Sequence, residues 1–249
     1  MAASAQLFAT RADVNFDYWE HWNDNQKIKS HDQSKGFVDD GLGVPVSTVQ
    51  GNAYEGGGYA SADLTDGSLH AHSWAGAPIE FTDLETGRDY TGSTTTDSSA
   101  ILFDTITLGG GKETSFPLRL EIDGSASPNA YAVAQLFVRK RGDYRMIVAL
   151  ADGRSGLNTT FSLDAEMMTP LVDTEYEVWA SLHAHADPGS FADFSHTARF
   201  KWDLPEGTCF SSASGVFNPG RINAVPEPAS LAALTLGAIA TVRRIRRSA

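Results

Sequence analysis

The sequence predicts an all-β protein, an antiparallel two-sheet β-sandwich of jelly-roll type followed by a short C-terminal apolar helix. Two observations support this prediction. Hydrophobic residues alternate with polar ones at a period of two over about ten short segments. Turn-forming residues separate those segments, and the chain contains 23 Gly and 10 Pro. Many short strands joined by frequent turns are typical of sandwiches and jelly rolls.

The predicted strands lie between residues 59 and 212. Their alternation is clearest where Leu118 and Leu120 share one face while Arg119 and Glu121 share the other. A tight hairpin turn is predicted at Gly67, between the first two strands. The predicted strands are 59–64, 68–74, 101–108, 116–122, 131–139, 144–150, 159–165, 176–182, 197–203 and 209–212.

The chain divides into four segments by composition. Residues 1–12 are interpreted as the remnant of a signal peptide. Residues 13–51 are polar, acidic at their start and poor in strand signals, which predicts either an N-terminal arm or an extra sheet edge. Residues 52–220 form the predicted β-sandwich, and residues 221–249 form a tail of different composition.

Charge and cysteine content exclude several classes of protein. The chain has 31 acidic and 19 basic residues, a net charge of −12. A duplex-binding domain needs a basic surface, so no nucleic-acid partner is expected. The single cysteine, Cys209, excludes an intramolecular disulfide and a thiolate metal cluster. No run of 18 apolar residues occurs, which argues against a multi-span membrane protein.

The tail has three parts in a fixed order. Val225-Pro226-Glu227-Pro228 comes first, and its prolines separate the tail from any preceding strand. An apolar run, 231–242, follows and is rich in the helix formers Ala and Leu. As a helix it would rise about 18 Å. A basic cluster then ends the chain and would stay on the cytoplasmic side of a membrane; its members are Arg243, Arg244, Arg246 and Arg247.

This order of parts resembles the PEP-CTERM sorting signal of exported bacterial proteins. The resemblance implies export, transient anchoring in the membrane through the 231–242 helix, and processing by the membrane protease exosortase. The protein would then reside at the cell surface or outside the cell. Residues 192–197, 205–207 and 214–215 also resemble the end of β-sandwich domains that precede such tails.

The start of the chain lacks the features of an export signal. A signal peptide needs a basic segment and an apolar segment. Met1–Thr10 has no basic residue and no long apolar run, yet Ala3-Ser4-Ala5 resembles an A-x-A cleavage site. We therefore expect the true start of translation to lie upstream of Met1.

The pentapeptide Ser-Leu-His-Ala-His occurs twice, as a first copy at 68–72 and a second copy at 181–185. Residues i and i+2 of a strand share a face, so each copy offers two imidazoles on one side. If the two strands were neighbours, four imidazoles could bind Zn, Cu or Ni; these are His70, His72, His183 and His185. Further candidate ligands close in sequence to the second copy are Asp187, Asp193 and His196. The alternative is that both pairs form solvated surface, with core positions at Leu69, Ala71, Leu182 and Ala184.

The densest aromatic segment is 16–22. Tyr18, Trp19 and Trp22 are flanked by acidic residues, a composition typical of a sugar-stacking platform. The alternative is that these aromatics anchor an arm onto the sandwich. If the aromatics form such a platform, an extracellular polysaccharide is a candidate partner.

No sequence motif for catalysis is present. The chain lacks G-x-S-x-G, H-E-x-x-H, a P-loop and a dinucleotide-binding glycine pattern. We therefore expect no enzymatic activity and no cofactor. The predicted function is that of an exported, non-enzymatic protein of the cell envelope or extracellular matrix. A carbohydrate-binding or glycan-processing protein is the alternative, and a metal-binding module is a weaker alternative.

Overall fold

The computed structural model of the chain describes residues 8–24, 27–85, 87–110 and 112–217. Within these ranges all regular structure is β, all strand pairs are antiparallel, and no helix occurs. The predicted all-β, two-sheet architecture is therefore confirmed. The predicted apolar helix 231–242 and the tail motif lie outside the described residues. Across the described ranges, no helix is long and apolar enough to cross a membrane.

The described residues form fourteen strands. In chain order they are β1 (Phe8–Asp24), β2 (Lys27–Leu42), β3 (Val46–Ala53), β4 (Gly56–Asp63), β5 (Ser68–Ala75), β6 (Ile79–Asp83), β7 (Arg88–Gly109), β8 (Ser115–Ala126), β9 (Ala130–Lys140), β10 (Met146–Arg154), β11 (Thr159–Met168), β12 (Thr174–Ala186), β13 (Phe191–Trp202) and β14 (Cys209–Ser212).

The strands form two sheets. The eight-stranded sheet has the order β10-β9-β12-β7-β1-β2, and β6 and β14 also pair with β7. The six-stranded sheet has the order β11-β8-β13-β5-β4-β3. From β7 to β13 the chain crosses between the sheets at every connection except β9 to β10. This interleaving is the winding typical of a jelly roll.

The core lies between the two sheets and follows the period-two pattern. In β12, buried residues alternate strictly with half-buried ones along the whole strand. Leu182 and Ala184 face the core, as do Leu69 and Ala71 of β5, which confirms the predicted core positions. Burying a leucine side chain stabilises the fold by about 1.5–3 kcal/mol.

The N-terminal segment belongs to the sandwich rather than forming a separate arm. β1 pairs with β7 on one side and with β2 on the other, so the structure supports the sheet-edge alternative for residues 13–51. Ala12, Val14 and Phe16 alternate into the core and are fully buried. This apolar alternation spans only three positions before charged and aromatic residues follow, which explains why the strand signal is weak.

β7 is much longer than the predicted strand 101–108. Its first half is rich in Thr and Ser, which do not signal a buried strand. The inward-facing members nevertheless lie in the core because their hydroxyl groups are paired. Thr96 Oγ1 donates to the Trp74 carbonyl oxygen at 2.9 Å, and Ser98 Oγ donates to the His72 carbonyl oxygen at 2.6 Å.

Candidate functional site

The two copies of Ser-Leu-His-Ala-His lie in different sheets. The first copy is in β5 of the six-stranded sheet, and the second is in β12 of the eight-stranded sheet. Because the leucine and alanine of each copy face the core, the two histidine pairs lie on opposite outer faces. The condition for a four-histidine site, that the two copies lie on neighbouring strands, is therefore not met. His70 and His72 do not meet His183 and His185.

The second copy lies in the middle of its sheet, between β7 and β9. His185 is directly opposite Asp97 of β7 and Tyr131 of β9. The Nδ1 atom of His185 lies 2.8 Å from Asp97 Oδ1, and its Nε2 atom lies 3.2 Å from Asp187 Oδ1. The Tyr131 ring stacks on the imidazole of His185, with centroids 4.9 Å apart. Both nitrogens and one face of this ring are therefore fixed.

His183 completes a group of three candidate ligands. Its Nε2 atom lies 3.1 Å from the same Oδ1 atom of Asp97 that His185 contacts. One ligand atom from each of Asp97, His183 and His185 lies within 4.8 Å of the others. We call these three residues the Asp97 cluster. All three are half-buried, so the cluster is shielded yet open to solvent.

The electrostatics of the Asp97 cluster follow from these contacts. Burial raises the pKa of Asp97, but hydrogen bonds from His183 and His185 outweigh this effect and hold the pKa well below its usual range. The hydrogen bond to Asp97 raises the pKa of His185, against the opposing effect of burial. Burial, then the charges of Asp97 and Asp187, raise the pKa of Tyr131. The site therefore holds a carboxylate that attracts positive charge.

The first copy has a similar register but different contacts. His72 is opposite Tyr59 of β4 and Asp193 of β13, as His185 is opposite a tyrosine and an aspartate. The Nδ1 atom of His72 lies 3.4 Å from Asp193 Oδ1. That oxygen accepts shorter hydrogen bonds from Ser195, at 3.1 Å from its backbone nitrogen and 2.6 Å from Oγ. The carboxylate of Asp193 is therefore already satisfied by its own strand.

Because β13 has a β-bulge, the two histidines of the first copy, His70 and His72, do not contact the same carboxylate. The register of β13 against β5 shifts between Phe194 and Ala198, opposite His70. His70 Nδ1 lies 2.5 Å from the Ser195 carbonyl oxygen instead of a carboxylate. The side chain of His196, also within the bulge, is not among those described. Among the described residues, only the Asp97 cluster brings three candidate ligands together.

Two acidic residues close to the second copy in sequence have different positions. Asp187 contacts His185, whereas Asp193 lies on the opposite sheet beside His72. Asp97 was not among the predicted ligands, and it is 88 residues from His185 along the chain. No local motif marks Asp97. The only signal that could have identified it is the pairing of β7 with β12.

The predicted aromatic platform is divided between two faces. Tyr18 stacks on Tyr54, with centroids 5.3 Å apart, and its hydroxyl donates to Glu20 Oε1 at 3.0 Å. Trp19 is the next residue of a regularly paired strand and points to the opposite face. The side chain of Trp22 is not among those described. Tyr18 and Trp19 therefore do not form one flat surface.

A different aromatic group lies on the outer face of the eight-stranded sheet. The rings of Phe103 and Trp179 are 4.8 Å apart, and the guanidinium of Arg139 lies 5.4 Å from the centre of the Trp179 ring. Beside them is an open groove of about 280 Å³. Its lining residues are Ile101, Gln135, Phe137, Met146, Trp179 and Ser181.

Comparison with protein families identifies the tail. Residues 224–247 match the model of the PEP-CTERM protein-sorting motif. The chain therefore carries a PEP-CTERM protein-sorting motif. The matched range covers the Val-Pro-Glu-Pro segment, the apolar run and the arginine cluster, so the predicted resemblance is confirmed. No curated protein matches the chain.

The last described residues before the PEP-CTERM motif, 214–217, are fixed to the sandwich. Phe217, the last described residue, is buried, and its ring lies 5.6 Å from Phe200 and 5.9 Å from Trp202. Ser214 donates through its Oγ to the buried carboxylate of Asp104 at 2.5 Å. Burial raises the pKa of Asp104, against the opposing effect of its hydrogen bonds with Ser214. The folded domain therefore extends to within a few residues of the PEP-CTERM motif.

Proposed function

We propose that this PEP-CTERM protein is an exported, non-enzymatic β-sandwich protein of the cell envelope or extracellular matrix, sorted by exosortase. The motif at 224–247 is the observation that carries this proposal. It begins soon after Phe217, the last described residue, whose ring is packed in the sandwich. In this proposal the 231–242 segment holds the protein in the membrane until exosortase processes the tail.

The composition of the chain fits a role among hydrated polymers. The net charge of −12 includes the four positive charges of the arginine cluster at 243–247, so a protein processed before this cluster would be more acidic still. Strong net charge favours solubility and allows contacts with anionic matrix polymers through shared cations. We therefore place the role of the sandwich in binding and matrix structure rather than in catalysis.

Deletion of 231–249 tests the sorting proposal. Fractionation of tagged protein in the native host is expected to show the protein shifted from the membrane fraction to the medium, or left unsorted. A matched control replaces the four tail arginines with lysine, which keeps the positive charge and is expected to keep the distribution. An unchanged distribution after deletion would contradict the proposal.

Carbohydrate binding is the second candidate function, and the groove beside Trp179 favours it. The aromatic rings of Phe137 and Trp179 line this groove together with the polar side chains of Gln135 and Ser181, and sugars bind to such combinations. In this candidate function the carbohydrate binds at the groove, and not at the predicted platform of Tyr18, Trp19 and Trp22.

A pull-down with insoluble cellulose and chitin tests this second candidate. Trp179→Ala is expected to lower retention on the polysaccharide that binds the unaltered chain. Trp74→Ala is the matched control, because Trp74 is 39% exposed on the opposite sheet. No retention of the unaltered chain, or equal retention of all three proteins, would exclude binding at this groove for these polymers.

A further inference from the structure

We propose that Asp97, His183 and His185 form a binding site for a divalent transition-metal ion of the zinc class on the outer face of the eight-stranded sheet. Asp187 acts as a positioning residue that holds the imidazole of His185. This inference is independent of the sorting proposal, because it concerns the sandwich and not the tail.

The two histidines converge on one oxygen atom of Asp97. The nearest nitrogens of His183 and His185 lie 3.1 Å and 2.8 Å from one carboxylate oxygen, and one ligand atom from each residue lies within 4.8 Å of the others. Two ligands of one tetrahedral zinc ion, each about 2.1 Å from the metal, stand about 3.4 Å apart. Small rotations of the side chains would therefore admit an ion.

The strands and side chains around the Asp97 cluster hold its ligands in place. The three ligands lie on β7 and β12, which pair in continuous register from Thr174 to Ala186. Tyr131 on β9 covers one face of His185, and Asp187 lies 3.2 Å from its Nε2 atom. A carboxylate that holds the second nitrogen of a ligating histidine is a common feature of metal sites, where it orients the ring and increases its basicity.

The donor atoms of the Asp97 cluster favour a transition-metal ion. Two imidazole nitrogens with one carboxylate suit zinc, nickel or copper, whereas calcium and magnesium prefer oxygen ligands. Three protein ligands leave a coordination position for water or for an oxygen of a bound molecule. The site faces solvent, so such a molecule could reach it.

The first copy of the repeat provides an internal control. It has the same five residues and an aspartate opposite its second histidine. Its histidines nevertheless contact different groups, since His70 lies against the Ser195 carbonyl oxygen and His72 lies beside Asp193. Removal of its histidines should therefore leave metal binding at the Asp97 cluster unchanged.

Calorimetric titration of the full chain tests the proposal. The protein is produced without a polyhistidine tag, stripped with a chelator and titrated with Zn²⁺ alone at neutral pH. We expect one ion per chain and no comparable heat with Mg²⁺. The variant with His183→Ala and His185→Ala is expected to lose this binding, and Asp187→Asn to weaken it about tenfold or more. The variant with His70→Ala and His72→Ala is expected to bind as the unaltered chain does.

Electron paramagnetic resonance of the Cu²⁺-loaded unaltered chain gives a measurement that does not depend on whether a variant folds. We expect a signal with coupling to two imidazole nitrogens. No binding of Zn²⁺ by the unaltered chain, or equal loss of binding in both double-histidine variants, would overturn the proposal. A copper spectrum without nitrogen coupling would do the same.

Discussion

The strands β5 and β12 contain the same five residues. Their inward-facing residues pack alike, whereas their outward-facing histidines make different contacts. On the inner face, the leucine and alanine of both copies fill the core. On the outer face, the second histidine of each copy lies between a tyrosine and an aspartate of the adjacent strands. Only in β12 do both histidines converge on one carboxylate.

The difference arises in the neighbouring strand. β7 runs past β12 in uninterrupted register, so Asp97 remains within reach of both histidines. β13 has a bulge opposite His70, and the bulge places a backbone carbonyl where a side chain would lie in a regular strand. A short sequence therefore determines which face its residues occupy, while its neighbours determine the chemistry of that face.

The largest expected effect tests whether the leucines of both copies face the core. Leu69→Ala and Leu182→Ala should each lower the free energy of unfolding by about 2–5 kcal/mol, because each removes a fully buried side chain and leaves a cavity. Chemical denaturation of both variants measures this. The outward changes His70→Ala and His183→Ala should each alter stability by no more than about 1 kcal/mol. Comparable losses at inner and outer positions would contradict the assignment of faces.

A smaller effect tests the outer face of the metal-free protein. Asp97→Asn should lower the free energy of unfolding by about 1.5–3 kcal/mol, the range for a hydrogen bond to a charged group. The corresponding change Asp193→Asn should lower the free energy of unfolding by a smaller amount. Burial raises the pKa of Asp193, but hydrogen bonds from Ser195 and the nearby His72 lower it overall. The Ser195 donors lie on the same strand and can still bind the side-chain oxygen of an asparagine.

The pH dependence of the Asp97→Asn effect has a definite sign. The pKa of Asp97 is lowered on folding, so its contribution is present above about pH 4 and is lost as the pH falls through its folded value. The pKa of His185 is raised, so its contribution is complete below about pH 6.5 and is lost as the pH rises through its folded value. Denaturation across pH should therefore show the largest difference between about pH 4 and 6.5. A difference that grows steadily up to pH 9 would contradict this account.

The two-sheet architecture and the sorting motif of the tail could be predicted from the sequence, but the Asp97 cluster could not. Period-two alternation identified strands such as β8 and β12, because burial on one face imposes that pattern. It missed the first half of β7, where Thr96 and Ser98 are buried through paired hydroxyls. The contact between Asp97 and His185 depends on the order of strands in the sheet, which no local pattern of residues encodes.

The most direct test of the contrast between the two copies is X-ray diffraction from crystals of the protein grown with Zn²⁺, measured on both sides of the zinc absorption edge. The account predicts an anomalous peak between Asp97, His183 and His185, and no peak beside His70 and His72. A peak of similar height at both copies, or none at the Asp97 cluster, would contradict it.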